Sequence, residues 1–221
     1  MDRIPKPFEV YASGNKLVLI YLDEAPENPR ENCDNASTMW CWHRRYNLGD
    51  KDSDKPRHED FDGWEAIAEY IRENHCILAM KPLYLMDHSG ISISTGEFAC
   101  RWDSGPVGFI FVTEDHHLRM MNDAADKATR VAWAEKVIRG DVEVYDDYLT
   151  GAVFRREVLD LTALNDTDRD NCGTYYGYDH KKSGLLADTG CEDAVEIRLD
   201  EALRRIKEAA DEAGVEFYGW R

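Results

Sequence analysis

The chain has 221 residues, 43% hydrophobic and 11% aromatic, which is enough to bury a sizeable core and too apolar for a disordered segment. Its 44 acidic residues against 27 basic ones give a formal net charge of −17, which repels phosphate backbones and favours a basic protein surface over direct nucleic-acid binding. No apolar run reaches the roughly 18 residues of a membrane span, and the opening MDRIPKPFEVYASGNK lacks the apolar stretch of a signal peptide, so a cytoplasmic protein is expected.

The first predicted element is a hairpin, with FEVYA (8–12) and KLVLIYLD (16–23) flanking a Ser13-Gly14-Asn15 turn. A loop with Pro26 and Pro29 leads to STMWCWHRRY (37–46), aromatic-rich and strand-like. NLGDKDSDKPRHED (47–60) is polar and turn-rich, the pattern of a mobile loop. FDGWEAIAEYIRENH (61–75) sets Trp64, Ile67, Ala68 and Ile71 on one helical face, with Asp60 or Asp62 as N-cap. CILAMKPLYLM (76–86) begins the central sheet, and Pro82 restricts it to an edge or a bulge. Ile91 and Ile93 alternate with Ser92 and Ser94 as in a half-buried strand, while VGFIFV (107–112), apolar on both faces, should be the most buried.

Residues 114–140 are helical in pattern, with Gly140 as the stop, and VEVYDDYL (142–149) reads as a further short helix ending at Gly151. AVFRREVLDL (152–161) is strand-like, NDTDRDNCG (165–173) a loop and TYYGY (174–178) a short strand. Over 194–213, Val195, Leu199, Ala202, Leu203, Ile206, Ala209, Ala210 and Ala213 form the apolar stripe of a last helix. Asp200–Arg204 and Glu201–Arg205 support it at i,i+4, and Gly214 stops it. Strands and helices mix without a βαβ rhythm. The expected class is α+β, one domain over 1–221 with a largely antiparallel sheet and packed helices.

Three polar clusters stand out. Trp40, Trp42 and Arg44 share one face of the strand-like segment and form a stacking platform, or simply core; Cys41 and His43 on the other face invite a thiolate–imidazole reading. Asp87-His88-Ser89 resembles a triad only in order, since alternate residues of a strand point to opposite faces; a strand-end turn accounts for it as well. Arg101 and Asp103 flank Trp102 in a turn, where the plain alternatives are an ion pair and a carboxylate holding backbone N–H groups, with the indole covering core. Glu114-Asp115-His116-His117 opens a helix, and its adjacent histidines read as solvent-facing. Cys33, Cys41, Cys76, Cys100, Cys172 and Cys191 form no C-x-x-C pair and read as free thiols or small buried hydrophobes. No metal and no cofactor is expected, and the phosphate-loop, dinucleotide and nucleophile-elbow motifs are missing from the sequence.

At CWHRRYNLGD, and at LYLMDHSGISIST and FACRWDSGPVGFIFV, the chain resembles an uncharacterised protein family of plasmids, prophages and phages. ENCDNASTMWCWHRRYNLGD matches its first motif, with Cys33 where that family carries Trp, and YDDYLTGAVF and DNCGTYYGY extend the likeness. The resemblance implies an accessory gene of a mobile element, a setting in which inhibitors of host defence are common. Joined to the acidity, it leads to the expectation of an acidic protein-binding inhibitor of a nucleic-acid-binding defence complex, of anti-CRISPR or antirestriction type. Its expected contacts are Asp141, Glu143, Asp146 and Asp147, then Asp50, Asp52 and Asp54, with Trp40 and Trp42 as the apolar and aromatic part and Arg44 beside them. The alternative is a small enzyme acting on a nucleotide or nucleic acid through His43, His88, Arg101 and Asp103, expected on neighbouring strands.

Overall fold

The computed structural model describes residues 5–31, 34–52, 54–121, 125–164, 170–176, 191 and 193–220. Cys33, the loop residues 165–169, the end of TYYGY and the Cys172 side chain lie outside the described residues. In chain order the elements begin with β1 (Glu9–Ser13), β2 (Lys16–Leu22), β3 (Thr38–Cys41), α1 (Trp64–Asn74), β4 (Ile77–Asp87), β5 (Ile91–Ser94) and β6 (Ser104–Thr113). They continue with α2 (Glu114–Met121), α3 (Lys127–Thr150), β7 (Val153–Asp160), β8 (Asp170–Tyr176), β9 (Val195–Ile197) and α4 (Leu199–Ala213). This is an α+β fold with antiparallel strand pairing. Contacts divide it into two compact units, residues 1–26 with 151–221, and residues 27–150.

The first unit is a sheet in the order β8-β7-β2-β1-β9. Its centre is β2, an unbroken apolar run because both its faces are covered. Leu17, Leu19 and Tyr21 join Val10 and Leu159 beneath Ala202, Ile206 and Ala210 of α4, while Val18 and Ile20 pack with Tyr11, Phe154 and Cys191 on the other face. Each Val, Leu, Ile or Phe among them, taken wholly out of water, contributes about 1.5–3 kcal/mol. The C-terminal stripe is narrower than the sequence implies: Leu203 is half-buried, Ala213 is exposed, and Val195 lies in β9 rather than in the helix, 67% exposed. Gly214 does end α4, with a φ of 68°.

The second unit holds the sheet β3-β6-β4-β5. β6 is internal and buried from Val107 to Thr113, as VGFIFV requires. On one face Trp40, Phe109 and Phe111 pack against Ile67, Ala68 and Ile71 of α1. On the other, Met39, Cys41, Leu83, Leu85 and Ile110 pack against Ala134, Ile138, Val142 and Tyr145 of α3. Pro82 pairs with Phe109 of β6 in the part of β4 that β5 does not reach, next to a register shift at Leu83/Tyr84, so it has a neighbouring strand on one side only. Gly108 lets β3 come close: a Cβ there would lie 1.9 Å from the Trp40 carbonyl oxygen.

Three expectations need correcting here. The N-cap of α1 is Gly63, with no side-chain cap, rather than Asp60 or Asp62. α3 runs through Gly140 to Thr150 as one helix, because its buried face continues across the glycine. His117 is 1% exposed, edge-on to Trp133 with 5.0 Å between the rings, and His116 is half-buried; the helix turns them inward rather than to solvent.

Candidate functional site

At one end of the second unit's sheet, β3 and β4 finish and β6 begins. The order β3-β6-β4 places these ends side by side, so three chain segments emerge together: 42–46, 87–90 and 100–104. The backbone N–H of Asp87 donates to the Asp103 carbonyl at 2.7 Å, tying two of them. Between the segments lies an open cleft of about 330 Å³ whose walls include His43, Arg45, Asp87, Trp102 and Asp103.

Each side chain has a defined hold. Asp87 pairs with Arg45 and accepts the Tyr46 hydroxyl at 3.2 Å. His43 stacks on Tyr46, ring centres 4.9 Å apart and planes 7° from parallel. Its Nδ1 accepts the backbone N–H groups of Arg45 and Tyr46, both at 3.3 Å, which leaves Nε2 as the ring nitrogen that carries hydrogen. His88 Nδ1 lies 3.0 Å from Asp103 Oδ2, and the Cys100 thiol donates to the same oxygen at 3.4 Å. Trp102 is 96% exposed and stands at the rim, where the sequence reading had it covering core.

The sequence candidates thus separate. His43 and Asp103 share the cleft, and His88 reaches it through Asp103; Arg101 is exposed in the turn and does not line it. Asp87, His88 and Ser89 do not cooperate as a triad. Asp87 serves Arg45, His88 serves Asp103, and Ser89 takes a left-handed φ of 56° in the β4–β5 turn. The Cys41–His43 pairing also fails. Cys41 is buried, and burial pushes its thiol up to about 12, so no thiolate is available to attack. β3 ends at Cys41, which leaves Arg44 and Arg45 on a loop; Trp40 and Trp42 keep the common face expected of them and pack in the α1 core.

That loop is pinned at its base. Trp40 and Gly49 form a bridge, Asp50 N–H donates to the Met39 carbonyl at 2.8 Å, and Gly49 N–H donates to the Tyr145 hydroxyl at 2.9 Å. The Asp50 carboxylate takes Arg30 through two bonds, at 2.7 and 2.9 Å, and the Met39 N–H at 2.7 Å. Arg30 also donates to Asp141 at 3.3 Å and to the Ser37 carbonyl at 2.9 Å. NLGD is therefore anchored, against the mobility expected of 47–60.

The same bonds reassign the acids expected to meet a partner. Asp50 and Asp141 hold Arg30, Asp52 accepts the Trp40 indole N–H at 3.1 Å, and Asp146 accepts the Ser92 hydroxyl at 2.8 Å and the Ile93 N–H at 2.7 Å. Asp54 and Glu143 stay exposed, and Asp147 is half-buried. An acid next to an unsatisfied donor binds it before any partner does. What the sequence reading passed over is the outer face of α1, where Glu65, Glu69 and Glu73 are exposed, with Asp62 exposed just before the helix; the i,i+4 spacing of the three glutamates was the signal. Among the described residues no group of three or more His, Cys, Asp or Glu side chains is placed to hold a metal ion. No helix among them is long and apolar enough to cross a membrane. Comparison with protein-family models, with curated proteins and with solved structures finds no match for the chain.

Proposed function

We propose that the protein works through the strand-end cleft, as a cytoplasmic accessory protein of mobile elements that binds a nucleotide-sized ligand and moves a proton on it. The observation that supports this reading is convergence: segments 42–46, 87–90 and 100–104 bring imidazole, guanidinium, carboxylate and indole groups to one opening. An indole face bare to solvent can stack a flat ring. Arg45 can turn from Asp87 to an anionic group, since an exposed ion pair is held by about 1 kcal/mol or less. His88, oriented by Asp103, is the group that can pass a proton. The charge of −17 opposes a long polyanion far more than a mononucleotide. The test is calorimetric titration with nucleotides, with Trp102→Ala and Asp103→Asn as variants. Loss of binding in the first, and loss of turnover with binding kept in the second, is expected; a nucleotide series that gives no heat with the wild-type protein removes the reading.

One observation favours a second reading, the acidic inhibitor of a host nucleic-acid-binding complex. Glu65, Glu69 and Glu73 form an exposed row on α1, with Asp62 exposed just before it, and none has an ion pair among the described residues, the surface a basic groove would meet. Capture of a host partner should then weaken as the Debye length falls from about 10 Å at 0.1 M salt to about 3 Å at 1 M. Capture that is indifferent both to salt and to Glu65→Lys with Glu69→Lys removes it.

A further inference from the structure

On the far side of the 43–48 loop lies a second groove, of about 720 Å³, that the cleft reading does not use. Its lining runs against the composition of the chain. In a protein with 44 acids and 27 bases, the side chains that line it include Arg44, Lys55 and Arg57 together with His43 and His58, and Glu59 is the one acid among them. Asp60, which pairs with Arg57 at 2.9 Å, stands just outside. The floor is aromatic and fixed: the Trp42 indole N–H donates to the Pro56 carbonyl at 2.9 Å, and the Trp42 ring meets His58 and Trp64 edge-on, at 6.3 and 6.1 Å. Lys55 is fixed as well, donating to the Cys41 carbonyl at 3.1 Å with its nitrogen 5.9 Å from the centre of the Trp42 ring.

Several cations gathered over indole and imidazole rings define a chemistry. We infer that this groove is a binding site for a small phosphate ester that carries a flat ring. Arg44 is exposed and has no ion pair among the described residues, so its planar fork is available to grip phosphate oxygens by two bonds. Lys55 keeps N–H donors beyond the one given to Cys41, and Arg57 exchanges an exposed partner, Asp60, at little cost. The ring of the ligand packs on Trp42 and His58. A groove of a few hundred cubic ångströms with few polar anchors on an aromatic floor suits a ligand of that size. The assignment is independent of the cleft, which shares only His43 with this groove.

The indole N–H signals of Trp42 and Trp102 in a nuclear magnetic resonance titration of the full chain report the two places separately. Inorganic pyrophosphate, ribose 5-phosphate and AMP are the probes. Pyrophosphate should move the Trp42 signal saturably, and AMP should bind more tightly than ribose 5-phosphate. Arg44→Ala with Arg57→Ala should weaken all three by about tenfold or more, with Arg44→Lys recovering only part, and the remaining indole signals show whether each variant is folded. A Trp42 signal unmoved at about 10 mM pyrophosphate, or unchanged affinity in the double variant, overturns the phosphate site. Equal binding of AMP and ribose 5-phosphate overturns the ring. If Trp102 alone responds, the groove fails and the cleft stands; if Trp42 alone responds, the reverse holds.

Discussion

Two pairs of carboxylates in the second unit look alike in the sequence and end differently. Asp50 and Asp141 close on Arg30, whose side chain is 1% exposed, whereas Asp87 and Asp103 meet Arg45 and His88, which are 68% and 69% exposed. The carboxylates themselves differ little, at 20%, 23%, 24% and 37% exposure. It is the partner's burial that assigns the role. A buried guanidinium has no water to fall back on, so its acids are structural. An exposed cation can trade its acid for a ligand without unfolding anything.

The largest effect that would test this contrast is Arg30→Ala. It leaves two acids facing an emptied site and should destabilise the second unit by roughly 3–5 kcal/mol in urea unfolding. A loss below about 1 kcal/mol would dissolve the distinction. In the first unit, burial makes the same division within one helix. Ile206 is 0% exposed, so Ile206→Ala should cost about 2–4 kcal/mol, while Leu203→Ala, outside the buried cluster, should cost about 1 kcal/mol or less. Equal losses would show that the two positions are packed alike.

Histidine repeats the contrast in pH. His116 accepts the Thr113 N–H at 3.1 Å, and burial, helped by Arg119, holds it below its ordinary 6.5. The unfolded chain then takes the proton first. Stability from this group is complete above about pH 6.5 and falls as pH drops towards the lower folded value. Unfolding measured at pH 7.5 and 5.5 should show a smaller pH dependence in His116→Gln than in the wild type; identical dependence would mean that the ring is not held neutral. The smallest expected effect is Asp87→Asn, below about 1 kcal/mol, because its Arg45 partner is mostly solvated. A larger loss there would move Asp87 into the structural class.

Much of this fold was legible because periodicity reports burial. Ile67 and Ile71 on α1, the doubly apolar β6 and the Gly14-Asn15 hairpin all follow from spacing and turn chemistry alone. Gly140 misled for a reason equally physical: Ala134, Ile138, Val142 and Tyr145 keep one face of α3 buried on both sides of it, and packing outweighs roughly 1 kcal/mol of glycine propensity. The convergence of His43 and Asp103 was readable only as adjacent strands. Which acid would meet which donor was not readable, because Arg30 reaches Asp141 across more than a hundred residues of chain. Trp102 was misjudged for a related reason, since nothing local tells a rim indole from a core one.

Asp146 carries one more consequence. β5 is the outer strand of its sheet, and the Ile93 N–H points away from β4, the position from which a sheet recruits its next strand. A single carboxylate on α3 occupies it and takes the neighbouring Ser92 hydroxyl too. The helix thereby stands in for the missing strand at that point: it ends the ladder chemically as well as by bulk, and denies an incoming extended chain its first hydrogen bond.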